Sequence, residues 1–175
     1  MKVLFLDIDG VVNSRQSWVR QATVIGIDPD LADQVRRIIA ETGCQVVLSS
    51  TWRCWPDSLA RVRDGVTPDL YGTTPVLDGY RGEEVRQWLA DHPEVTRYAI
   101  LDDNADFDPD QPLFQTSWEV GLTSEIADEV IEYFNTGTSP TTRSNQKHRG
   151  WLSRVWNQLS RIAKTAYSFE RCLTF

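Results

Sequence analysis

The sequence has few of the residues that staple or metallate small proteins. Its 175 residues include only two histidines and three cysteines, Cys44, Cys54 and Cys172. The cysteines are odd in number and widely spaced, and neither histidine lies near a cysteine pair. Neither a disulfide framework nor a zinc site is supported, and free thiols in a reducing cytoplasm are the expectation. Long apolar runs are also missing: no uninterrupted stretch reaches the about 18 residues that a membrane-spanning helix needs. The N-terminus carries a single lysine with Asp7 soon after and lacks the pattern of a secretory signal, so a soluble, cytoplasmic protein is expected. Basic residues are scarce in the first part of the chain. Residues 1–135 carry 11 Lys/Arg against 24 Asp/Glu, a balance of −13, whereas residues 136–175 carry 7 against Glu170 alone, a balance of +6.

What is present is 41% hydrophobic residues, enough for the core of one domain of ordinary size. Lys2 to Leu6 is an apolar run too short for a helix and reads as a buried strand. Asp30 to about Thr42 reads as a helix, with Leu31, Val35, Ile38 and Ile39 at helical spacing and Gly43 at its end. Gln45 to Leu48 is a second buried strand, and Pro56 to about Arg63 a second helix. Residues 64–80 read as loop with one strand at the edge. Gly82 to about Ala90 is helical and Tyr98 to Leu101 is a third apolar strand. Phe114 to Trp118 is expected to be a further short strand, and Ser124 to Phe134 a helix. Ala22 to Ile25 reads as a short extended piece. Strands alternating with helices imply an α/β domain with a parallel sheet.

Three of these strands run directly into polar residues: Asp7-Ile8-Asp9-Gly10, Ser49-Ser50 and Asp102-Asp103. In open α/β sheets ligands sit at the carboxyl ends of the strands. Residues two apart on a strand face the same side, so Asp7 and Asp9 can converge if the chain turns sharply at Gly10. Taken singly, each group also reads as a turn, a cap or a solvated acidic loop. Their joint occurrence in this order resembles the haloacid dehalogenase (HAD) superfamily of phosphatases, over about residues 1–135. That resemblance implies a Rossmann-like three-layer sandwich around a central parallel sheet.

The superfamily's first motif, Asp-x-Asp-Gly-Thr/Val, is matched by Asp7-Ile8-Asp9-Gly10-Val11. The resemblance makes Asp7 the nucleophile that forms an aspartyl-phosphate, and Asp9 the general acid that protonates the leaving oxygen and then activates water. Ser49 matches the second motif, whose hydroxyl binds a phosphoryl oxygen. Arg81 is assigned to the third, basic motif, with Arg53 and Arg86 as alternatives. Asp102-Asp103 after Ala99-Ile100-Leu101 matches the fourth, with Asp106 as a helper. Several carboxylates crowded against a phosphate require a hard divalent cation, and Mg²⁺ is implied. Its expected ligands are Asp7, the Asp9 main-chain carbonyl, and Asp102 or Asp103. Superfamily transport ATPases have Thr where Asp9 stands, so the resemblance implies phosphomonoester hydrolysis. The alternative is a non-catalytic protein that binds a phosphorylated ligand through the same site.

Substrate choice in this superfamily often rests on a cap domain. Only residues 10–48 separate Asp9 from Ser49, and residues 51–80 separate the second motif from the third, so a minimal cap is expected. Leu48-Ser49-Ser50-Thr51-Trp52-Arg53, with the first motif extended to Asn13 and with Gly121-Leu122-Thr123, resembles a bacterial and phage subgroup related to the phosphatase modules of RNA-repair proteins. Polynucleotide 3′-phosphates, small nucleotides and sugar phosphates are the candidate substrates. Gly10, Ser50, Trp52 and Arg53 are the expected substrate contacts. Trp52 and Arg53 read either as a base-stacking and phosphate-binding pair or as core packing and an ion pair.

Residues 136–149 read as a flexible linker rich in Thr, Ser and Asn. Beyond them, residues 150–175 form a tail in which Trp151, Leu152, Val155, Trp156, Leu159 and Ile162 recur at helical spacing beside Arg154, Arg161 and Lys164. A basic amphipathic C-terminal helix is expected. Its candidate partners are the acidic domain itself, a second subunit, nucleic acid or a membrane surface.

Overall fold

The computed structural model describes residues 1–17 and 26–137. The extended piece at 22–25, most of the linker and the helical tail lie outside the described residues. No helix among the described residues is long and apolar enough to cross a membrane.

Five parallel strands form one sheet. In chain order they are β1 (Lys2–Leu6), β2 (Gln45–Leu48), β3 (Leu70–Thr73), β4 (Arg97–Asp102) and β5 (Leu113–Gln115), and their order across the sheet is β3-β2-β1-β4-β5. The helices are α1 (Pro29–Thr42), α2 (Pro56–Gly65), α3 (Arg81–Ala90) and α4 (Ser124–Thr136), with a 3₁₀ turn at Thr51–Cys54. The fold is the α/β Rossmann-like sandwich that the sequence implied. α1 begins where Asp28 accepts a hydrogen bond from the Asp30 N–H at 3.0 Å, with Pro29 in its first turn. It ends at Gly43, whose φ of 67° lets its N–H reach the Ile39 carbonyl.

Period-2 alternation along β1 builds the two outer layers. Leu4 and Leu6 face a core shared with Val35 and Ile38 of α1, Val62 of α2, and Val130 and Phe134 of α4. Val3 and Phe5 face the other side, against Val85 and Trp88 of α3. Each such side chain contributes about 1.5–3 kcal/mol on burial. A one-residue slip of β1 would send both sets to the wrong face, so the register is firmly set.

The expected edge strand after α2 and the strand near Phe114 bring the sheet to five; the latter differs from the expectation in its bounds, spanning Leu113–Gln115 rather than 114–118. The chain leaves the sheet at Thr116, whose hydroxyl donates to the Gly10 carbonyl at 2.6 Å. The Ser117 carbonyl then closes a turn by accepting from the Val120 and Gly121 N–H groups.

Candidate active site

β1 is the middle strand, and Leu6 lies in register with Leu48 of β2 and Leu101 of β4. The ladder continues one step further: the Asp7 N–H donates to Leu101 O at 2.9 Å and the Ser49 N–H to Leu6 O at 3.0 Å. Asp7, Ser49 and Asp102 are thereby delivered side by side at the carboxyl ends of three adjacent strands, about 4.8 Å apart in strand spacing. All three are buried. Gly10, with φ of 80°, turns the chain after Asp9; a Cβ there would lie 2.5 Å from Asp103 Cγ. Glycine is required at this position for the turn and for the close approach of Asp103.

Arg81, the first residue of α3, places Nη1 3.1 Å from Asp7 Oδ2 and also donates to Asp102 Oδ2. Burial disfavours its charge, but the Asp7 and Asp102 carboxylates outweigh that and hold the guanidinium well above its ordinary pKa. Asp102 is pushed up to about 7, first by burial and then by the charge of Asp7; Arg81 and the Asn104 N–H pull the other way without cancelling it. The N-terminus of α3 is fixed by Asp106, whose carbonyl accepts from Gly82 N and whose Oδ2 faces Arg81 N at 3.4 Å. Asp106 therefore helps to seat Arg81 rather than joining the acidic cluster. Of the alternatives for the basic motif, Arg86 pairs with Asp108 at the surface and Arg53 lies in a separate network. Lys2, the one lysine in residues 1–135, bonds Thr42 O and Asn135 at the opposite end of β1.

Asp9 behaves differently from Asp7. Trp52 Nε1 donates to its Oδ2 at 3.1 Å and Asn13 Nδ2 to its Oδ1 at 2.9 Å. Trp52 also packs against the hydrophobic core, so of its two sequence readings core packing is the one observed, joined by an unforeseen bond to Asp9. Ser50 is fully buried and caps the 3₁₀ turn, with its Oγ 3.4 Å from the Trp52 N–H. It is placed as a cap instead of a substrate contact. Arg53 likewise has its terminal nitrogens occupied: Nη1 donates to Ser49 O and Ser50 O at 2.6 and 2.7 Å, and Nη2 to Pro75 O and Glu84 Oε2. With its side chain 5% exposed, Arg53 is a buried brace and has no terminal N–H to offer a phosphate. The Gly10 N–H is also engaged, by Asn13 Oδ1 at 3.1 Å.

Asp7, Asp102 and Asp103 each offer a carboxylate oxygen, all within 4.8 Å of one another. Carboxylate oxygens that converge this closely at buried and half-buried positions are the kind of donor set that a hard divalent cation takes. The donors are all oxygen and hard, as Mg²⁺ prefers. Asp7 Oδ1 and Ser49 Oγ are buried without a hydrogen-bond partner, and Asp7 Oδ2 has the Arg81 ion pair. Buried polar atoms are normally paired, so this pattern fits a cation and an anionic ligand that complete the site. The Asp9 carboxylate is not in that set, which leaves its main-chain carbonyl as the group expected to ligate.

Glu84 escaped the sequence reading, and Asn13 entered it as the end of the extended first motif without a role. Asn13 lies four residues after Asp9 and ties Asp9 to Gly10, and Glu84, in the first turn of α3, neutralises Arg53. The sole signal for Glu84 was a carboxylate on a short helix next to the buried-face residue Val85. No curated protein and no solved structure matches the chain. Residues 3–127 do match one family, described as the HAD domain in Swiss Army Knife RNA repair proteins. Spanning the sheet, Asp7, Arg81 and the Asp102-Asp103 pair, that match covers most of the sequence, and the chain belongs to this family of HAD domains.

Proposed function

We propose that the chain is a Mg²⁺-dependent phosphomonoester hydrolase that acts through an aspartyl-phosphate on Asp7, with nucleotide or polynucleotide-end phosphates as substrates. The observation that carries this reading is Asp7 itself: a buried carboxylate whose Oδ1 has no hydrogen-bond partner and whose Oδ2 meets Arg81 Nη1 at 3.1 Å, beside the buried Ser49 hydroxyl. A structural aspartate would be satisfied; a nucleophile must keep an oxygen available.

In the first half-reaction an Asp7 oxygen bonds to phosphorus as the bond to the leaving oxygen breaks, and Asp9 gives that oxygen its proton. In the second, Asp9 takes a proton from water, whose oxygen bonds to phosphorus and releases inorganic phosphate and free Asp7. Ser49 Oγ donates to a phosphoryl oxygen, and Arg81 offsets the negative charge that accumulates among Asp7, Asp102 and the phosphoryl group. Asp7, Asp102 or Asp103 and the Asp9 carbonyl would hold Mg²⁺, which would supply further charge neutralisation. The family's occurrence in RNA repair proteins supports an RNA end as substrate.

Phosphate release from 3′- and 5′-phosphorylated oligonucleotides, measured with Mg²⁺ beside a panel of phosphorylated metabolites, tests both parts. Oligonucleotide ends are expected to be turned over faster than metabolites, with a hydroxylamine-labile phosphate trapped on Asp7 by acid quench. No turnover of any ester would leave the fold as a phosphate-ligand binder.

A further inference from the structure

Asp7 and Asp9 stand two residues apart, yet their carboxylates are treated in opposite ways. Both Asp9 oxygens are taken by donors from two different segments. Asn13 comes from the same loop, and its own Oδ1 accepts from Gly10 N, so this side is fixed to the turn. Trp52 comes from the 3₁₀ turn that follows Ser49, and its ring is anchored in the core. Asp9 cannot swing towards the Asp7, Asp102 and Asp103 set without giving up both bonds.

We propose that Trp52 and Asn13 form a clamp that fixes the Asp9 carboxyl for proton transfer, which makes Trp52 a positioning residue for the leaving-group step. The proposal rests on the reading of Asp9 as general acid. The step it serves is the one in which the Asp9 O–H bond breaks and an O–H bond to the leaving oxygen forms while the P–O bond opens. Efficiency of such a transfer depends on holding donor and acceptor in reach. Because Trp52 follows Ser49 by three residues, one short segment carries both the phosphate anchor and the clamp.

Trp52→Phe keeps an aromatic ring at the site and removes the indole N–H together with part of the ring volume, and the comparison between two leaving groups separates the two losses. The test compares first-turnover rates on an aryl phosphate, whose leaving group departs without a proton, and an alkyl phosphate, whose leaving group requires one. The alkyl ester should lose at least about tenfold more than the aryl ester, in kcat rather than in KM. Equal losses, or none, would overturn the role of Trp52 while leaving the hydrolase reading intact. No turnover of either ester by the unmodified protein would overturn both together. An activity-independent readout is the indole N–H resonance that disappears in Trp52→Phe, identified among the seven tryptophans. In Asp9→Ala it should shift and exchange faster with solvent; an unmoved resonance shows that the clamp does not exist in solution and overturns the proposal.

Discussion

Two buried arginines within this domain meet carboxylates in opposite manners. Arg53 pairs with Glu84 at 2.7 Å, its terminal nitrogens reach three carbonyls as well, and the second Glu84 oxygen accepts from Leu77 N. One positive and one negative charge cancel inside a dense hydrogen-bond network. Arg81 stands against Asp7 and Asp102, with Asp103 close by, so one cation meets an excess of anions and Asp7 Oδ1 is left without a hydrogen-bond partner. A charge-matched pair is a structural brace, even with Arg53 Nε left without a partner; a charge-mismatched cluster keeps capacity for a cation and a phosphate. Burial alone does not distinguish the two, whereas charge balance does.

The strongest way to break the contrast is at Asp7. Asp7→Asn is expected to lower hydrolysis of an aryl phosphate by about 10³-fold or more, with the melting temperature of the metal-free protein held or raised because one crowded charge is gone. Retained activity would refute Asp7 as nucleophile. Arg53→Met should do the reverse, acting through stability. Leaving Glu84 buried and unpaired costs about 3–5 kcal/mol, measurable by denaturant unfolding. The double variant Arg53→Met/Glu84→Met should recover most of that loss.

A subtler separation lies in pH. Because burial and Asp7 raise Asp102 to about 7, Mg²⁺ must displace a proton below that pH, and its apparent affinity should climb about tenfold per unit up to about pH 7 and then level off. The sign for stability follows from the same shift. A carboxyl raised on folding contributes fully below its ordinary range, and that contribution is lost as pH rises through about 7. The metal-free protein should therefore melt at a lower temperature at pH 8 than at pH 5.5, and Mg²⁺ should close the gap. Calorimetric titration and thermal melts at several pH values check both statements. The smallest effect is expected at Ser50. Its capping bond is long at 3.4 Å, so Ser50→Ala should cost about 0.5 kcal/mol and leave KM for an aryl phosphate within twofold; a large rise in KM would return Ser50 to the substrate contacts.

The strands were readable because their apolar runs are short and sharply bounded. Leu6, Leu48 and Leu101 each precede a polar residue, so the position of Asp7, Ser49 and Asp102 at strand ends followed directly. The beginning of α1 was legible within one residue, since Asp28 and Pro29 are strong punctuation. The strand at Leu113–Gln115 was misjudged because its end is set by a long-range bond, Thr116 to Gly10, that local pattern cannot reveal. A cap at Ser49-Ser50 and an ion pair at Arg53 were among the readings of the sequence, but local pattern could not choose between them and substrate contacts, nor name Glu84 as the partner.

The sequence by itself determined the strand and helix alternation, the polar residues at three strand ends and the need for a turn at Gly10. These depend on hydrophobic periodicity and on local backbone freedom, both written in neighbouring residues. Only the tertiary structure decided which arginine faces Asp7, that Trp52 bonds Asp9, and that Glu84 neutralises Arg53. Those contacts join segments 31 to 74 positions apart: Arg53 and Glu84 are separated by 31 positions, Trp52 and Asp9 by 43, Arg81 and Asp7 by 74. Their partners are chosen by the order of strands in the sheet, which brings β1, β2 and β4 together and carries the loops at their ends into one place.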